Sequence, residues 1–281
     1  MHESVSNKVN SPAWYIVALV YAAGEPVHNS VGLERIVQKT FSSLGAVRAN
    51  ICAASARGKV GKTQPFSPGT FAELLAEPES GALTISGLKE SPAHVDLRLY
   101  LRHNPAVAMK YQPPGVLYFV AECGRQALPP KKSQEAAREF LQACASELSV
   151  LHGGIMAFPN RHQALSEASL VGYDVSDEPE LFAKRWNYDA SNSMLLWQKA
   201  RHVYWITLIG PALAQQVGGV PTAITAGTIE VTEVAGSLIF AGTKNVEDSL
   251  DLDFSRKTRR LRGWLWSYLI QNPYDADPAQ L

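Results

Sequence analysis

The sequence lacks an excess of charge of either sign, because its 26 lysine and arginine residues balance 26 aspartate and glutamate residues. Proteins that bind nucleic acids or membrane surfaces over a broad area normally carry a basic excess. The balance therefore argues against both functions for the chain as a whole, although it leaves room for a local charged patch.

Long hydrophobic runs are also missing. A helix needs about 18 consecutive apolar residues to cross a bilayer, and the apolar run over residues 14–23 is far shorter. The first twelve residues, MHESVSNKVNSP, are polar and lack the charged and then apolar pattern of a secretory signal. We therefore expect a cytoplasmic protein with no membrane association.

Cysteine is scarce, with three residues in the chain: Cys52, Cys123 and Cys144. The number is odd, and no cysteine belongs to a CxxC motif or has a histidine close by in sequence. This pattern predicts buried free thiols in a reducing compartment rather than disulfides or metal ligands.

Catalytic motifs are absent apart from one approximate match, ARGKVGKT over residues 56–63. A P-loop reads GxxxxGK[ST] and leads into a helix, whose N-terminus binds phosphate. Here Ala56 replaces the first glycine, and Pro65 and Pro68 follow where the helix should continue. We predict a solvated basic loop, no cofactor or metal, and no enzymatic activity. The alternative is a small-molecule enzyme that uses this loop in an unrecognised site.

What the sequence does contain is a set of apolar strand-like runs separated by amphipathic helices. The strands are expected at residues 14–22, 46–54, 82–88, 93–102, 115–122, 155–158, 203–209, 229–234 and 237–241. The main helices are expected at residues 30–44, 133–150, 211–217 and from 256 to about 271. The histidine and two glycines at 152–154 are expected to end the second helix.

These elements predict an α+β fold with mixed or antiparallel sheets and helices packed on one side. A similar order of elements recurs in residues 1–150 and 151–281. The chain is therefore expected to form two similar lobes or one compact domain. In the strand at 93–102, the acidic, basic and tyrosine residues alternate with leucines, which predicts one polar face.

Two segments rich in acidic or aromatic residues flank the stretch at 201–242. That stretch contains no nucleophile, metal-ligand set or phosphate-binding loop, and we interpret it as structural. Aromatic side chains surrounded by acids are typical of protein-recognition surfaces, although such aromatics also pack beneath long connections. The candidate binding residues are Asp174, Asp177, Glu178, Glu180, Trp186, Tyr188, Asp189, Glu247, Asp248, Asp251 and Asp253. The last four lack the spacing of a calcium-binding loop, so no metal is expected there.

A basic segment, Arg256–Arg262, follows the second acidic run directly. Its charged residues are expected on the solvated face of a helix, where the acidic run largely neutralises them. A nucleic-acid-binding protein that uses Arg256–Arg262 is a further alternative function.

The C-terminal half of the chain resembles the type VI secretion immunity-protein family. That family shows an HG-rich turn, a W(L/I)TxLG strand, a helix ending in two glycines, and a GGxLIxAG hairpin before an aspartate-containing loop. The matching positions are His152-Gly153-Gly154, residues 205–210, Gly218-Gly219, residues 236–242 and Asp248. The sequence departs from the pattern at Ser237, where glycine is expected, and in the longer, more acidic loop around Asp248.

The resemblance implies a non-catalytic protein that binds a cognate antibacterial effector toxin and neutralises it. Relatives are encoded beside toxins that include nucleases, and a cytoplasmic inhibitor suits a toxin that acts in the cytoplasm. The expected partner is therefore a nuclease effector, with no direct contact between this chain and nucleic acid. Acidic runs would complement the basic surface of such a toxin.

Overall fold

The computed structural model describes most of the chain between residues 14 and 269. The described residues are 14–44, 49–55, 59–87, 95–101, 114–123, 129–161, 163–164, 198–200, 203–225, 230–251 and 254–269. The strands are β1 Trp14–Ala22, β2 Ala49–Ser55, β3 Gln64–Pro65, β4 Ser80–Gly87, β5 Val95–Tyr100, β6 Gly115–Cys123, β7 Val150–Phe158, β8 Ile206–Ile209, β9 Glu230–Val234 and β10 Ser237–Ala241. The helices are α1 Ser30–Leu44, α2 Pro68–Ala76, α3 Pro130–Glu147, α4 Pro211–Val217, α5 Thr222–Thr225, α6 Phe254–Lys257 and α7 Arg259–Leu265. Short 3₁₀ turns lie at Pro26–Asn29, Val246–Leu250 and Trp266–Tyr268.

The described strands form one ten-stranded sheet in the order β3-β2-β4-β5-β6-β1-β7-β8-β10-β9. Every pairing between neighbouring strands is antiparallel. With helices packed on this sheet, the predicted α+β class is confirmed. Strand β1 pairs with β6 and with β7. Backbone hydrogen bonds therefore connect the N-terminal segment, residues 1–150, with the C-terminal segment, residues 151–281, which contains most of β7.

Strand β1 is buried on both faces, which explains its uninterrupted apolar sequence. Ile16, Ala18 and Val20 belong to the main core, whereas Val17 and Leu19 belong to a second cluster on the opposite face. An antiparallel sheet commonly leaves one face to solvent and then shows alternating polar residues. The absence of that alternation in β1 marks it as the central strand.

Three helices, α1, α2 and α3, cover the first face of the sheet. Helix α1 buries Leu33, Ile36 and Val37 against it, and α3 contributes Phe140 and Leu141. Helices α1 and α3 also pack against each other. The first face therefore carries the largest hydrophobic core of the molecule.

Helix α3 begins three residues earlier than predicted. The predicted helix started at Ser133, but Pro130 lies in the first turn and Ser133 is buried inside the helix. Proline suits the first turn because its fixed φ is helical and its missing N–H group needs no partner there. The helix ends at Glu147, before the histidine–glycine motif.

The prediction that His152-Gly153-Gly154 ends this helix was wrong. These residues lie within β7, where they pair with β1 and β8. A Cβ at Gly153 would collide with the Leu19 carbonyl oxygen, and one at Gly154 would collide with the Tyr204 ring. The glycines are thus required for the close approach of neighbouring chain segments rather than for a turn.

On the second face of the sheet, the C-terminal helices cover strands β8 and β10. Ile209 and Phe240 point to this side and pack with Leu213 of α4 and with Leu261 and Leu265 of α7. The side chains that alternate with them on these strands belong to the main core. Helices therefore lie on both faces at this end of the sheet.

The predicted turns of the C-terminal half are confirmed. Helix α4 ends at Gly218, whose φ of 74° is the left-handed conformation that glycine adopts without strain. The hairpin between β9 and β10 turns at Ala235 and Gly236, with φ values of 48° and 77°. Two consecutive positive values match the two-residue turn that suits the twist of a hairpin.

Trp205 ties α3 to the C-terminal strands. Its ring is fully buried, and its indole N–H donates a hydrogen bond of 2.9 Å to the Thr243 carbonyl. The Arg138 guanidinium of α3 lies 5.0 Å from the Trp205 ring centroid and forms an ion pair of 3.0 Å with Glu230 on β9. The edge strand is thereby connected to the helix layer.

We predict that Gly154→Ala destabilises the protein by at least about 2 kcal/mol, the magnitude typical of overpacking a well-packed core. The added methyl group would lie 2.5 Å from the Ile206 carbonyl oxygen and 2.5 Å from Cγ of the Tyr204 ring. Chemical denaturation measures the effect. The matched control is Gly69→Ala, whose new methyl group would have its nearest neighbour, Ser67 Oγ, 3.8 Å away. Equal stability of the two variants would contradict the packing role assigned to Gly154.

Candidate functional site

The first predicted recognition segment lies outside the described residues. It comprises Asp174, Asp177, Glu178, Glu180, Trp186, Tyr188 and Asp189, and Asp253 of the second segment also lies outside them. Their assignment to partner binding stays a prediction from sequence. The remaining candidates, Glu247, Asp248 and Asp251, are described.

The second acidic run begins in the 3₁₀ turn Val246–Leu250, which is anchored on the edge of β7. The Ser249 hydroxyl accepts a hydrogen bond of 2.9 Å from the Ala157 backbone N–H and donates one to the Val246 carbonyl. At the start of the turn, the Asn245 backbone N–H donates to Asp248 Oδ2 over 3.4 Å, and the Asp248 N–H donates to the Asn245 carbonyl over 3.2 Å. Asp248 therefore has a structural role in addition to its charge.

Lys257 partly neutralises this acidic run. Its Nζ atom lies 2.7 Å from Asp251 Oδ2 and 3.4 Å from Asp248 Oδ1. The hydrogen bond to Asp251, supported by Asp248, raises the pKa of Lys257 and keeps it protonated. The predicted pairing of the acidic run with the basic segment is confirmed for this lysine.

The basic segment forms two short helices, α6 and α7, instead of the single predicted helix. The break occurs at Thr258, whose hydroxyl donates to the Phe254 carbonyl over 3.0 Å and whose side chain is buried. Residues of both helices line a pocket with a volume of about 410 Å³. Its lining is Ile224, Gly242, Arg256, Lys257, Thr258, Arg259, Arg260 and Leu261.

The segment that approximates a P-loop has a different geometry where it is described. Thr63 leads into strand β3 and not into a helix. The Gly61 N–H donates to the Ala53 carbonyl over 2.7 Å, which adds to the pairing of the chain with β2. An amide used in this way does not face a phosphate, so residues 59–63 lack the arrangement that the P-loop motif requires.

A third surface, on strands β5 and β6, was not assigned a function from the sequence. Asp96, Arg98 and Tyr100 share one face of β5, and Tyr118 of β6 lies opposite Arg98. The Arg98 guanidinium lies 4.9 Å from the Tyr100 ring centroid. The Tyr100 and Tyr118 centroids are 6.3 Å apart. We call Asp96, Arg98, Tyr100 and Tyr118 the arginine–tyrosine cluster.

The tyrosines of this cluster are neutral partners for Arg98. Burial raises the pKa of Tyr118 and of Tyr100, although the nearby guanidinium opposes the rise in each case. Both phenols therefore stay protonated at neutral pH. Asp96 forms an ion pair of 3.7 Å with Arg161. The alternation of residues 95–101 signalled a polar face in the sequence, but it did not indicate Tyr118 as a neighbour.

The described chain contains no cluster of three or more histidine, cysteine, aspartate or glutamate side chains that could hold a metal ion. None of the described helices combines the length and the apolar character needed to span a membrane.

Comparison with known proteins identifies the fold at low sequence identity. No protein-family model matches the chain, and no curated protein matches it. The solved structure of the Pseudomonas aeruginosa T6SS protein PA0821 is similar, with a TM-score of 0.57 and 12% identity. The similarity covers 92% of this chain and 77% of that protein. It shows a shared fold.

Two of the three thiols are unsuited to nucleophilic chemistry. Burial raises the pKa of Cys123 to about 12 and that of Cys144 well above its ordinary value. The thiolate is the reactive form, so these residues are inert in the folded protein at neutral pH. Cys52 is only partly buried.

We predict that a disulfide reagent modifies one thiol, Cys52, in the folded chain at pH 8 and all three after denaturation.

As the pH rises above 9.0, the thiols of the unfolded chain ionise while Cys123 in the folded chain stays protonated to about 12. The unfolded state then binds fewer protons, so the free energy of unfolding should fall as the pH rises through this range. Colorimetric thiol counting and denaturation at pH 7 and pH 10 measure these effects. Modification of Cys123 in the folded chain would contradict them.

Proposed function

We propose that this chain is an immunity protein that binds and neutralises a cognate antibacterial type VI secretion effector. The observation that carries the proposal is the fold shared with a T6SS protein over 92% of the chain. It agrees with the family resemblance of the C-terminal sequence motifs. Fold alone does not determine function, and the sequence motifs supply the second line of support.

The positions of the motif residues support a binding role over a catalytic one. Gly153 and Gly154 lie inside β7, residues 206–209 form β8, and residues 237–241 form β10. These strands are almost entirely buried. The motifs thus build the sheet and its tight contacts, and the surface around them is left to recognise a partner.

The preferred partner is a nuclease that acts in the cytoplasm. A nuclease needs a basic surface to hold nucleic acid, and acidic side chains on an inhibitor complement such a surface. Glu247, Asp248 and Asp251 supply carboxylates in the described chain, with Lys257 offsetting part of their charge. The undescribed run from Asp174 to Asp189 is proposed to add to them. Inhibition by direct binding requires no cofactor in this chain.

Co-expression tests the proposed function. The probe is the protein encoded by the reading frame next to the gene for this chain, expressed in bacterial cytoplasm from an inducible promoter. We expect induced cells to lose viability and DNA integrity, and co-expression of this chain to restore both. The control is the Gly154→Ala variant, whose protection should fall in proportion to its loss of folded protein. A toxic neighbour that this chain does not counteract would refute the proposal.

We predict that charge reversal of the described acidic run slows association with the effector. The double variant Glu247→Lys/Asp251→Lys should lower the association rate by at least about tenfold at low ionic strength, because opposite charges steer encounter. Surface plasmon resonance at two salt concentrations measures the rate. The matched control, Glu73→Lys/Glu79→Lys, places the same charges on exposed positions at and beyond α2. Equal association rates for both double variants would exclude the acidic run from the interface.

A further inference from the structure

The arginine–tyrosine cluster lies on a polar part of the second sheet face. On β4, Thr84 pairs with Arg98 and Ser86 pairs with Asp96. On β2, Cys52 lies next to Thr84. These residues are partly exposed and have short side chains. The longer Arg98 and Tyr100 side chains therefore lie beside short, partly exposed polar side chains of β2 and β4.

Arg98 is held in place by its neighbours. Its guanidinium stacks on Tyr100 at 4.9 Å, and Tyr118 lies directly opposite it on β6. Tyr118 is itself only 5% exposed. An arginine restrained in this way loses little conformational freedom when it binds a ligand.

One donor of this restrained group is unsatisfied. Arg98 Nε is buried and has no hydrogen-bond partner in the described part of the molecule. A buried N–H group without an acceptor costs free energy. The neighbours of Arg98 within the described chain therefore leave its guanidinium incompletely satisfied.

The charge of Arg98 is also available to a partner. Asp96, the nearest carboxylate on the same strand face, is paired with Arg161 at 3.7 Å. Arg98 forms no ion pair within the part of the chain that the structure describes. A planar guanidinium matches a carboxylate, which accepts two parallel hydrogen bonds.

We propose that Arg98, positioned by Tyr100 and Tyr118, binds an aspartate or glutamate carboxylate of the effector at the centre of a recognition surface. This inference rests on the proposed function and adds a specific anchor to it. Arginine and tyrosine are the residues that most often dominate binding at protein interfaces. The acidic run near Lys257 would steer the approach of the effector, whereas Arg98 determines how slowly it leaves.

The experiment measures binding of the purified neighbouring-gene product, carrying a substitution that abolishes its toxicity, to variants of the full chain. Arg98→Met keeps the aliphatic stem over Tyr100 and removes every donor. Arg98→Lys keeps the charge and removes the planar, two-pronged geometry. The matched control is Arg262→Ala, since Arg262 also stacks on an aromatic ring, that of Trp266, at 5.7 Å. Thermal denaturation of each variant checks that it is folded.

We expect the unaltered chain to bind and the Arg98→Met variant to bind at least about 30-fold more weakly, the loss typical of a dominant interface residue. Arg98→Lys should lose at least about tenfold, mainly through faster dissociation, and Arg262→Ala less than about threefold. If Arg98→Met does not fold, the loss of affinity in Arg98→Lys decides whether Arg98 is the binding anchor. Substituting the acidic residues of the effector singly with alanine should identify one whose effect is absent in the Arg98→Met background.

The outcomes separate the inference from the proposed function. If the unaltered chain does not bind the neighbouring-gene product, the proposed function fails and the inference falls with it. If the unaltered chain binds and both Arg98 variants bind within about threefold of it, the function stands and the Arg98 anchor is refuted. A short DNA duplex or inorganic phosphate that binds in an Arg98-dependent manner would assign a phosphate to the site and overturn the carboxylate.

Discussion

Burial of strand β1 on both faces is the constraint on which the rest of this structure depends. The strand pairs along its whole length with β6 and along most of it with β7. Its side chains contribute to hydrophobic clusters on the two faces of the sheet. Residues from both halves of the sequence must therefore assemble around it. The glycines of β7 follow from the same constraint, because only a residue without a side chain allows the Leu19 backbone and the Tyr204 ring to lie so close.

The division between framework and surface explains why recognisable motifs say little about the partner. The histidine–glycine motif, the tryptophan strand and the glycine-rich hairpin form buried strands of one sheet. Trp205 illustrates their role, since it joins a helix, a strand and a loop through Arg138 and Thr243. Any fold that keeps these contacts can present different surfaces. Under the proposed function, partner specificity belongs to surface polar groups such as Asp251 and Arg98, which this framework supports.

The two described charged surfaces differ in how their charges are held. Lys257 lies at the surface between two carboxylates, an arrangement whose contribution falls as salt screens it. Arg98 is partly buried between tyrosine rings and keeps an unsatisfied donor. The first arrangement suits long-range attraction, which depends on net charge. The second suits a short-range, directional contact. Under the proposed function, the first would steer the effector and the second would anchor it.

Sequence alone determined those features that depend on neighbouring residues. Strand β1, helix α1 and the turns at Gly218 and Ala235-Gly236 are encoded by local hydrophobic pattern and by glycine positions. The pairing of Lys257 with Asp248 was also predictable. Only nine residues separate the two in the sequence, so the acidic run must lie close to the basic segment that follows it. Tertiary structure decided the order of the strands, the placement of the 152–154 motif inside β7, and the meeting of Arg98 with Tyr118. Periodicity reports which side of an element is buried, but pairing partners depend on the total free energy of contacts between distant segments.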